Sequence, residues 1–382
     1  MKAIISGGGT GGHTFPAIAI ANSIKARDPQ AEILFIGAEG RMEMEKVPAA
    51  GYSIEGLPIA GLQRQLTLSN ICKNLLLPFK VLRSMRRARQ IIRSFNPDVV
   101  IGVGGYASQP TLQAASQLGY PIVLQEQNSY AGLTNKSLSS KADVICVAYE
   151  GMDRFFPSEK LVQTGNPVRK DIEQMNVSHE DGCAFFQVDA NRPVLLSVGG
   201  SLGARSINLM IMNNLDFFKK NNLQIIWQTG RQMYDQACKA VEDAQVQDCV
   251  KVHQFIGNMD KAYAAADAVI SRAGAIAISE LCLVGKPVVL VPSPNVAEDH
   301  QTKNAMALSE KGAAILVRDS ECGSEGLPTA LALISDKERC NAMSQSIRKL
   351  ASPHAADRIV DEIYRLLDSK RHNTNHSNSS EK

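Results

Sequence analysis

No stretch of 18 consecutive apolar residues occurs in the 382-residue sequence, so it offers no membrane-crossing helix of ordinary length. The eight cysteines (Cys72, Cys146, Cys183, Cys238, Cys249, Cys282, Cys322, Cys340) form no C-x-x-C pair. Several sit inside apolar runs, as Cys146 does in Val144–Val147, and read as small buried hydrophobes of a reducing compartment rather than disulfides or metal ligands. A signal peptide is not expected, because glycines interrupt the first apolar run. An excess of charge of either sign is also lacking: the net charge is +3, and no zinc-finger or RNA-binding signature occurs, so nucleic acid is not an expected partner. Acidic residues are missing altogether from residues 56–97, which nonetheless carry Arg64, Lys73, Lys80, Arg83, Arg86, Arg87, Arg89 and Arg93.

With 44% hydrophobic and 21% charged residues, the composition is that of a globular protein long enough for two domains. The stretch around which the first half is organised is Gly7-Gly8-Gly9-Thr10-Gly11-Gly12-His13, directly after the apolar Ala3-Ile4-Ile5-Ser6. This order reads as a buried parallel strand turning sharply into a helix. Glycines let the backbone approach a ligand, and the N–H groups at a helix start favour an anion. His13, at the rim of that loop, is placed to touch whatever binds.

Further short apolar runs at Glu32–Gly37, Asp98–Gly102, Pro121–Gln125 and Asp143–Val147 predict a parallel sheet covered on both faces. Ligands bind such sheets at the carboxyl ends of their strands. Two loops stand there, Gly102-Val103-Gly104-Gly105-Tyr106-Ala107-Ser108 and Gln125-Glu126-Gln127-Asn128. The stripe Val81, Met85, Ala88, Ile92 predicts the core side of a helix, and the apolar Leu75–Phe79 beside eight cations predicts a surface for anionic lipid headgroups. Gln163–Arg169 then breaks regular structure, and the pattern restarts. Pro193–Val198 followed by Gly199-Gly200-Ser201-Leu202-Gly203-Ala204 echoes the N-terminus, with later strands at Leu223–Trp227, Val250–Val252, Ala268–Ile270 and Pro287–Val291. The expected fold class is therefore α/β, with two similar strand–glycine loop–helix domains. The expected spans are 1–165 and 166–350, a C-terminal helix over 351–368 and a disordered polar tail over 369–382.

In the second half, Ser271–Glu280 gives a helix start open to a phosphate, with Glu280 six residues after Gly274 and able to accept both hydroxyls of a ribose. A second polar cluster, Glu298–Ala305, follows the strand ending at Val291.

These motifs, in this order over roughly residues 1–365, resemble the MurG family of bacterial peptidoglycan N-acetylglucosaminyltransferases, which have the GT-B fold, two Rossmann-like domains facing a cleft, and belong to glycosyltransferase family 28. The resemblance implies an inverting hexosyl transfer from UDP-N-acetylglucosamine, held mainly by the C-terminal domain. The acceptor would be undecaprenyl-pyrophosphoryl-N-acetylmuramoyl-pentapeptide (lipid I, giving lipid II), held by the N-terminal domain. It implies a peripheral location on the cytoplasmic face of the inner membrane, against an anionic membrane surface, and no cofactor or metal; no Asp-x-Asp occurs. By motif, Arg169 and Ser201 fall at the donor pyrophosphate and Ile256 at uracil. Ala275, Ile276, Ala277, Ile278 and Ser279 form the phosphate-binding helix start, and Glu280 is the ribose ligand. Thr10, Gly11, Gly12, Asn128 and Gln301 approach the sugar, Tyr106 and Ser108 face the acceptor, and His13 is the catalytic base or a donor to the acceptor pyrophosphate. Three alternatives stay open. Gly7-x-Gly9-x-x-Gly12 with Glu39 also fits a nicotinamide dinucleotide oxidoreductase. A GT-B transferase with another acceptor, or a non-enzymatic nucleotide-sugar sensor, would use the same motifs.

Overall fold

The computed structural model describes residues 1–59, 77–200, 202–296 and 299–379. Ser201, Arg64, Cys72, Lys73, Leu75, Leu76 and Glu298 lie outside the described residues. The chain forms two compact units, Met1–Arg169 with His354–Lys382, and Lys170–Pro353.

The first unit is built on a seven-stranded, wholly parallel sheet: β1 Lys2–Ser6, β2 Glu32–Ala38, β3 Ser53–Leu57, β4 Val99–Gly102, β5 Ile122–Glu126, β6 Val144–Val147 and β7 Leu161–Gln163. Their spatial order is β3-β2-β1-β4-β5-β6-β7. Side chains alternate faces, so Ile4 joins the core on one side of the sheet while Ala3 and Ile5 join the other. Order reverses between β1 and β4, where Ser6 pairs with Gly102, and this is the switch point at which α/β sheets bind ligands. Both glycine-rich loops of the first half leave the sheet there.

The helix after β1 starts at Gly11, inside the glycine run, and runs to Arg27 with Pro16 in its second turn. The carbonyl of Gly12 therefore receives no helical donor from Pro16. In the Leu77–Phe95 helix, Ala88 and Ile92 of the predicted stripe are fully buried and Val81 and Met85 are half-buried; Ser84 and Ile91 are buried beside them. Phe79 is 72% exposed and Leu82 56% exposed, beside the exposed Lys80, Arg83 and Arg86.

The terminal helix Ala355–Ser379 belongs to this first unit. Ile359, Ile363 and Leu367 recur every fourth residue and bury one stripe against the β1 side of the core. Ser23 Oγ donates to Asp357 Oδ1 at 2.5 Å, Arg27 pairs with Asp361 and stacks on Tyr364, and Arg358 donates to Thr164 O at 2.7 Å. The helix continues through most of the tail expected to be disordered. Each added residue contributes one hydrogen bond without new nucleation, and Lys370 pairs with Asp143 at 2.8 Å.

The second unit repeats the plan with β8 Val194–Val198, β9 Gln224–Gln228, β10 Val250–His253, β11 Ala268–Ser271, β12 Val288–Leu290 and β13 Ile315–Leu316. Their order is β10-β9-β8-β11-β12-β13, all parallel, with the switch point between β8 and β11. Trp227 is fully buried and its Nε1–H donates to Asn208 Oδ1 at 3.0 Å, which satisfies the one polar atom the ring carries into the core. Cys146, Cys183, Cys249, Cys282 and Cys322 are free and buried, in keeping with their apolar surroundings in the sequence. Among the described residues no helix is long and apolar enough to cross a membrane.

Candidate functional site

In the first unit the site is assembled from three loops at the carboxyl edge of the sheet. After β1, Gly8 adopts φ +151° and Gly9 φ +91°, and the helix then begins at Gly11. A methyl group on Gly8 would stand 2.1 Å from Glu43 Oε1, in a backbone conformation L residues rarely adopt; only glycine fits. On its other side the loop lies against Tyr106, whose ring carbon Cε1 is 2.9 Å from where a Gly9 Cβ would be. Burial of Tyr106 raises the phenol's pKa, so its hydroxyl stays protonated.

His13 lies in the first helical turn. Its Nδ1 is 3.2 Å from Thr10 Oγ1, and its ring edge rests on the Gly104–Gly105 turn after β4. The third loop, after β5, is organised by Glu126. This buried carboxylate accepts from Asn128 N (3.1 Å), Asn128 Nδ2 (3.2 Å), Gly132 N (3.0 Å) and Asn135 Nδ2 (2.9 Å). Asn128 is thereby fixed, and Asn135 reaches back toward Gly104, against which His13 rests. Thr10, Gly11, Gly12, His13, Tyr106 and Asn128 thus stand on loops of one edge. Ser108 does not present its side chain there: it is fully buried and its Oγ donates to Gly105 O at 2.9 Å, so it shapes the turn. Arg169 is half-buried and ends the first of the two segments that make up this unit. Glu39, the carboxylate a dinucleotide would need, is exposed just after β2, with its Cγ against Gly56 of β3.

In the second unit, Gln228 at the end of β9 bridges two stretches singled out from the sequence. Its Nε2 donates to Gly200 O at 3.0 Å, and its Oε1 accepts from Ile256 N at 2.8 Å. The Ile256 N–H is therefore already paired, which leaves its carbonyl as the group to offer a ligand. Leu202 (81% exposed) and Phe255 are large apolar side chains on the same two stretches.

The Ala275–Val284 helix starts from Gly274 in extended conformation without a side-chain cap, so its first-turn N–H groups favour an anion. Ala275, Ile276, Ala277, Ile278 and Ser279 form that start, and Ser279 Oγ donates back to Ala275 O at 3.0 Å. Glu280 is buried, not an ordinary exposed helix glutamate, and Tyr263 Oη donates to its Oε2 at 3.2 Å. Arg272 donates to Val291 O (3.0 Å), Pro292 O (3.1 Å), Ser206 Oγ (2.9 Å) and Asp319 Oδ1 (2.5 Å), tying the turns after β11 and β12 to the Arg205–Met212 helix. Gln301 Oε1 accepts from Ser293 N at 2.9 Å, and buried Asn304 donates to Ala273 O at 3.4 Å.

Glu43, Gln228 and Tyr263 are residues that sequence reasoning did not single out, and Glu126 was read only as part of its loop, not as the group that organises it. The only local signal was a polar residue closing an apolar strand, as at Gln228. Among the described residues no group of three or more His, Cys, Asp or Glu is placed to hold a metal ion.

Comparison with known proteins adds the following. Residues 3–147 match the glycosyltransferase family 28 N-terminal domain and residues 194–359 its C-terminal domain. The UDP-N-acetylglucosamine--N-acetylmuramyl-(pentapeptide) pyrophosphoryl-undecaprenol N-acetylglucosamine transferase of Parabacteroides distasonis is 55% identical over 97% of this chain and 99% of its own. The protein of the same name from Cytophaga hutchinsonii is 53% identical over 97% of this chain and 98% of its own. The crystal structure of Acinetobacter baumannii MurG superposes with a TM-score of 0.74 at 31% identity, covering 95% of this chain and 99% of that one.

Proposed function

The chain belongs to glycosyltransferase family 28, and from that premise we propose that it moves N-acetylglucosamine from UDP-N-acetylglucosamine to N-acetylmuramyl-(pentapeptide) pyrophosphoryl-undecaprenol. This is the step from lipid I to lipid II in peptidoglycan synthesis. The observation that carries the reading is similarity over nearly the whole chain to relatives named for that one transfer.

The second unit takes the donor. Glu280, held by Tyr263, accepts the ribose hydroxyls, and the Ile256 carbonyl accepts from uracil. The helix start at Ala275–Ser279, with Arg169 and Ser201, offsets the charge that develops on the departing pyrophosphate. Gln301 contacts the sugar. The first unit takes the acceptor at the Gly104–Ser108 loop, with Tyr106 beside it, and Thr10, Gly11, Gly12 and Asn128 approach the sugar. The acceptor hydroxyl attacks the anomeric carbon as the bond to UDP breaks, inverting the configuration, and His13 takes the proton. When Thr10 Oγ1 accepts from the His13 Nδ1–H, Nε2 is the basic nitrogen.

The protein acts at the cytoplasmic face of the inner membrane as a peripheral protein. Supporting this are Phe79 and Leu82, exposed among Lys80, Arg83 and Arg86, a pairing of apolar and cationic groups suited to anionic headgroups.

The test is transfer of labelled N-acetylglucosamine from UDP to a short-chain lipid I analogue. Product is expected, with His13→Ala slower by about 10²–10⁴-fold. Absence of product while UDP still raises the melting temperature would overturn the acceptor assignment.

A further inference from the structure

Glu43 opens the short Glu43–Ala49 helix, far from any glycine motif in the sequence, yet it is 1% exposed. Its carboxylate reaches back to the sheet. Oε1 accepts from Ala38 N, at the end of β2, at 3.1 Å; Oε2 accepts from Gly9 N, in the loop after β1, at 3.0 Å. Backbone packs tightly around it. A methyl group on Gly8 would stand 2.1 Å from Oε1, and one on Gly37 would stand 2.6 Å from Glu43 Cγ.

A buried carboxylate is costly unless its oxygens are hydrogen-bonded, and bonds from N–H groups to a carboxylate are the strong kind. Each oxygen here holds a different strand end, so the side chain sets the distance between the two. The opposite side of the loop is bounded by Tyr106, leaving the Gly8–Gly9 turn one place to sit.

We propose that Glu43 is a positioning residue for the acceptor half of the reaction. It fixes the Gly8–Gly9 turn and, through it, the Thr10–His13 helix start. By holding Gly9 N–H and placing negative charge beneath the turn, it directs an anionic substrate away from Gly9 and toward Gly11–Gly12. The proposal rests on the transferase reading for its kinetic consequence but not for its structural one.

Glu43→Gln keeps the size of the side chain. It must turn its amide NH₂ toward either Ala38 N–H or Gly9 N–H, setting donor against donor. The experiment measures two things on the full chain: hydrogen exchange of the peptide spanning residues 7–13, and steady-state transfer with each substrate varied in turn. Expected is at least tenfold faster exchange over residues 7–13 and a 10- to 100-fold loss of kcat/KM for the short-chain acceptor, a misplacement of about 1 Å sufficing for such a loss. The inhibition constant of UDP against the donor should stay within twofold, since the contacts proposed for the nucleotide, Arg169 apart, lie in the other unit. A merely structural role would lower both substrates' parameters together.

Unchanged exchange would overturn the anchoring role. Faster exchange with acceptor kinetics within twofold of the parent would overturn the role in the reaction. If the parent protein itself transfers nothing, the function assignment fails, and the exchange comparison still decides whether Glu43 holds the turn. Glu43→Asp, which keeps both acceptors but is one methylene shorter, provides the same comparison if the glutamine variant does not fold; the same pattern, smaller in size, is expected.

Discussion

Glu280 gives the sharpest test of the donor site. Its carboxylate is buried and receives Tyr263 Oη at 3.2 Å, so one oxygen is already oriented before any ligand arrives. A hydrogen bond to a charged group contributes about 1.5–3 kcal/mol. Glu280→Gln leaves one carbonyl acceptor where the ribose needs two, so about one such bond is lost. That corresponds to a rise of about 10- to 150-fold in the Kd of UDP. Glu280→Ala removes both acceptors and leaves Tyr263 Oη, also buried, without the oxygen it donates to, so the loss should be larger and the unliganded protein should melt lower. Tyr263→Phe should fall between parent and Glu280→Gln, because a neutral donor is lost and the carboxylate keeps its charge. Calorimetry of UDP binding, with melting curves taken without ligand, separates affinity from stability. If Glu280→Gln binds UDP within threefold of the parent, Glu280 is a structural partner of Tyr263 and the ribose assignment is refuted.

Other parts of the molecule make independent predictions. Replacing Arg83, Arg86 and Arg87 by Glu should abolish co-sedimentation with anionic vesicles and leave transfer to a short-chain soluble acceptor intact; unchanged sedimentation would remove the membrane surface from the reading. Gly203 has φ +79°, and a methyl there would stand 1.9 Å from Thr229 O. Gly203→Ala should therefore destabilise the protein by about 2 kcal/mol or more and weaken UDP binding, readable by thermal melting with and without UDP. Burial pushes His253 below its ordinary pKa of 6.5, and its Nε2 is buried with no hydrogen-bond partner among the described residues. A depressed pKa favours the neutral ring in the fold, so its stabilisation is complete above pH 6.5 and is lost as pH falls through the folded value. The melting temperature should drop between pH 7.5 and 5.5, and His253→Gln should flatten part of that drop; parallel curves would refute it. Burial pushes the thiols of Cys146 and Cys282 up to about 12, so at pH 8 both should resist a thiol reagent until denaturant is added, as read by peptide mapping.

The parallel sheets were legible because their central strands are nearly continuous apolar runs, buried on both faces, as in Val99–Gly102 and Val194–Val198. The strands that escaped are at or next to sheet edges. β3 (Ser-Ile-Glu-Gly-Leu) alternates polar and apolar with a glycine, β7 has three residues, and β13 has two. None of these differs from a loop until a neighbouring strand pairs with it. Glycine loops were equally plain, since clustered glycine after an apolar run has few other uses. The domain limit was less so. The Ala355–Ser379 helix looks like an appendage of the second half, and only its stripe Ile359, Ile363, Leu367, buried with Ile5 and Ile20, shows that it completes the first.

What the sequence could not display is how each loop is held, because the holding groups are remote along the chain. Glu43 meets Gly9 across 34 positions, Gln228 meets Ile256 across 28, and Tyr263 meets Glu280 across 17. A glycine-rich loop by itself is a flexible element that loses much conformational entropy on ordering. In both units a buried side chain with two hydrogen-bonding ends removes that freedom in advance: Glu43 joins Gly9 to Ala38, and Gln228 joins Gly200 to Ile256. One is a carboxylate that accepts from two backbone N–H groups. The other is a neutral amide that gives a proton to Gly200 O and accepts one from Ile256 N. The difference sets what each loop can offer. Donors at Gly9 are occupied in the first unit, so an anion must use the helix start. In the second, a carbonyl and an N–H are tied together, so the loop and the Ile256 segment move as one piece. Gln228→Glu should therefore do more harm than Gln228→Ala, because a carboxylate placed 3.0 Å from Gly200 O has nothing to donate, whereas alanine only releases the two ends. A stability order of parent, then alanine, then glutamate, with UDP affinity falling in step, is the expected result. An unimpaired glutamate variant would mean that Gln228 is a bystander.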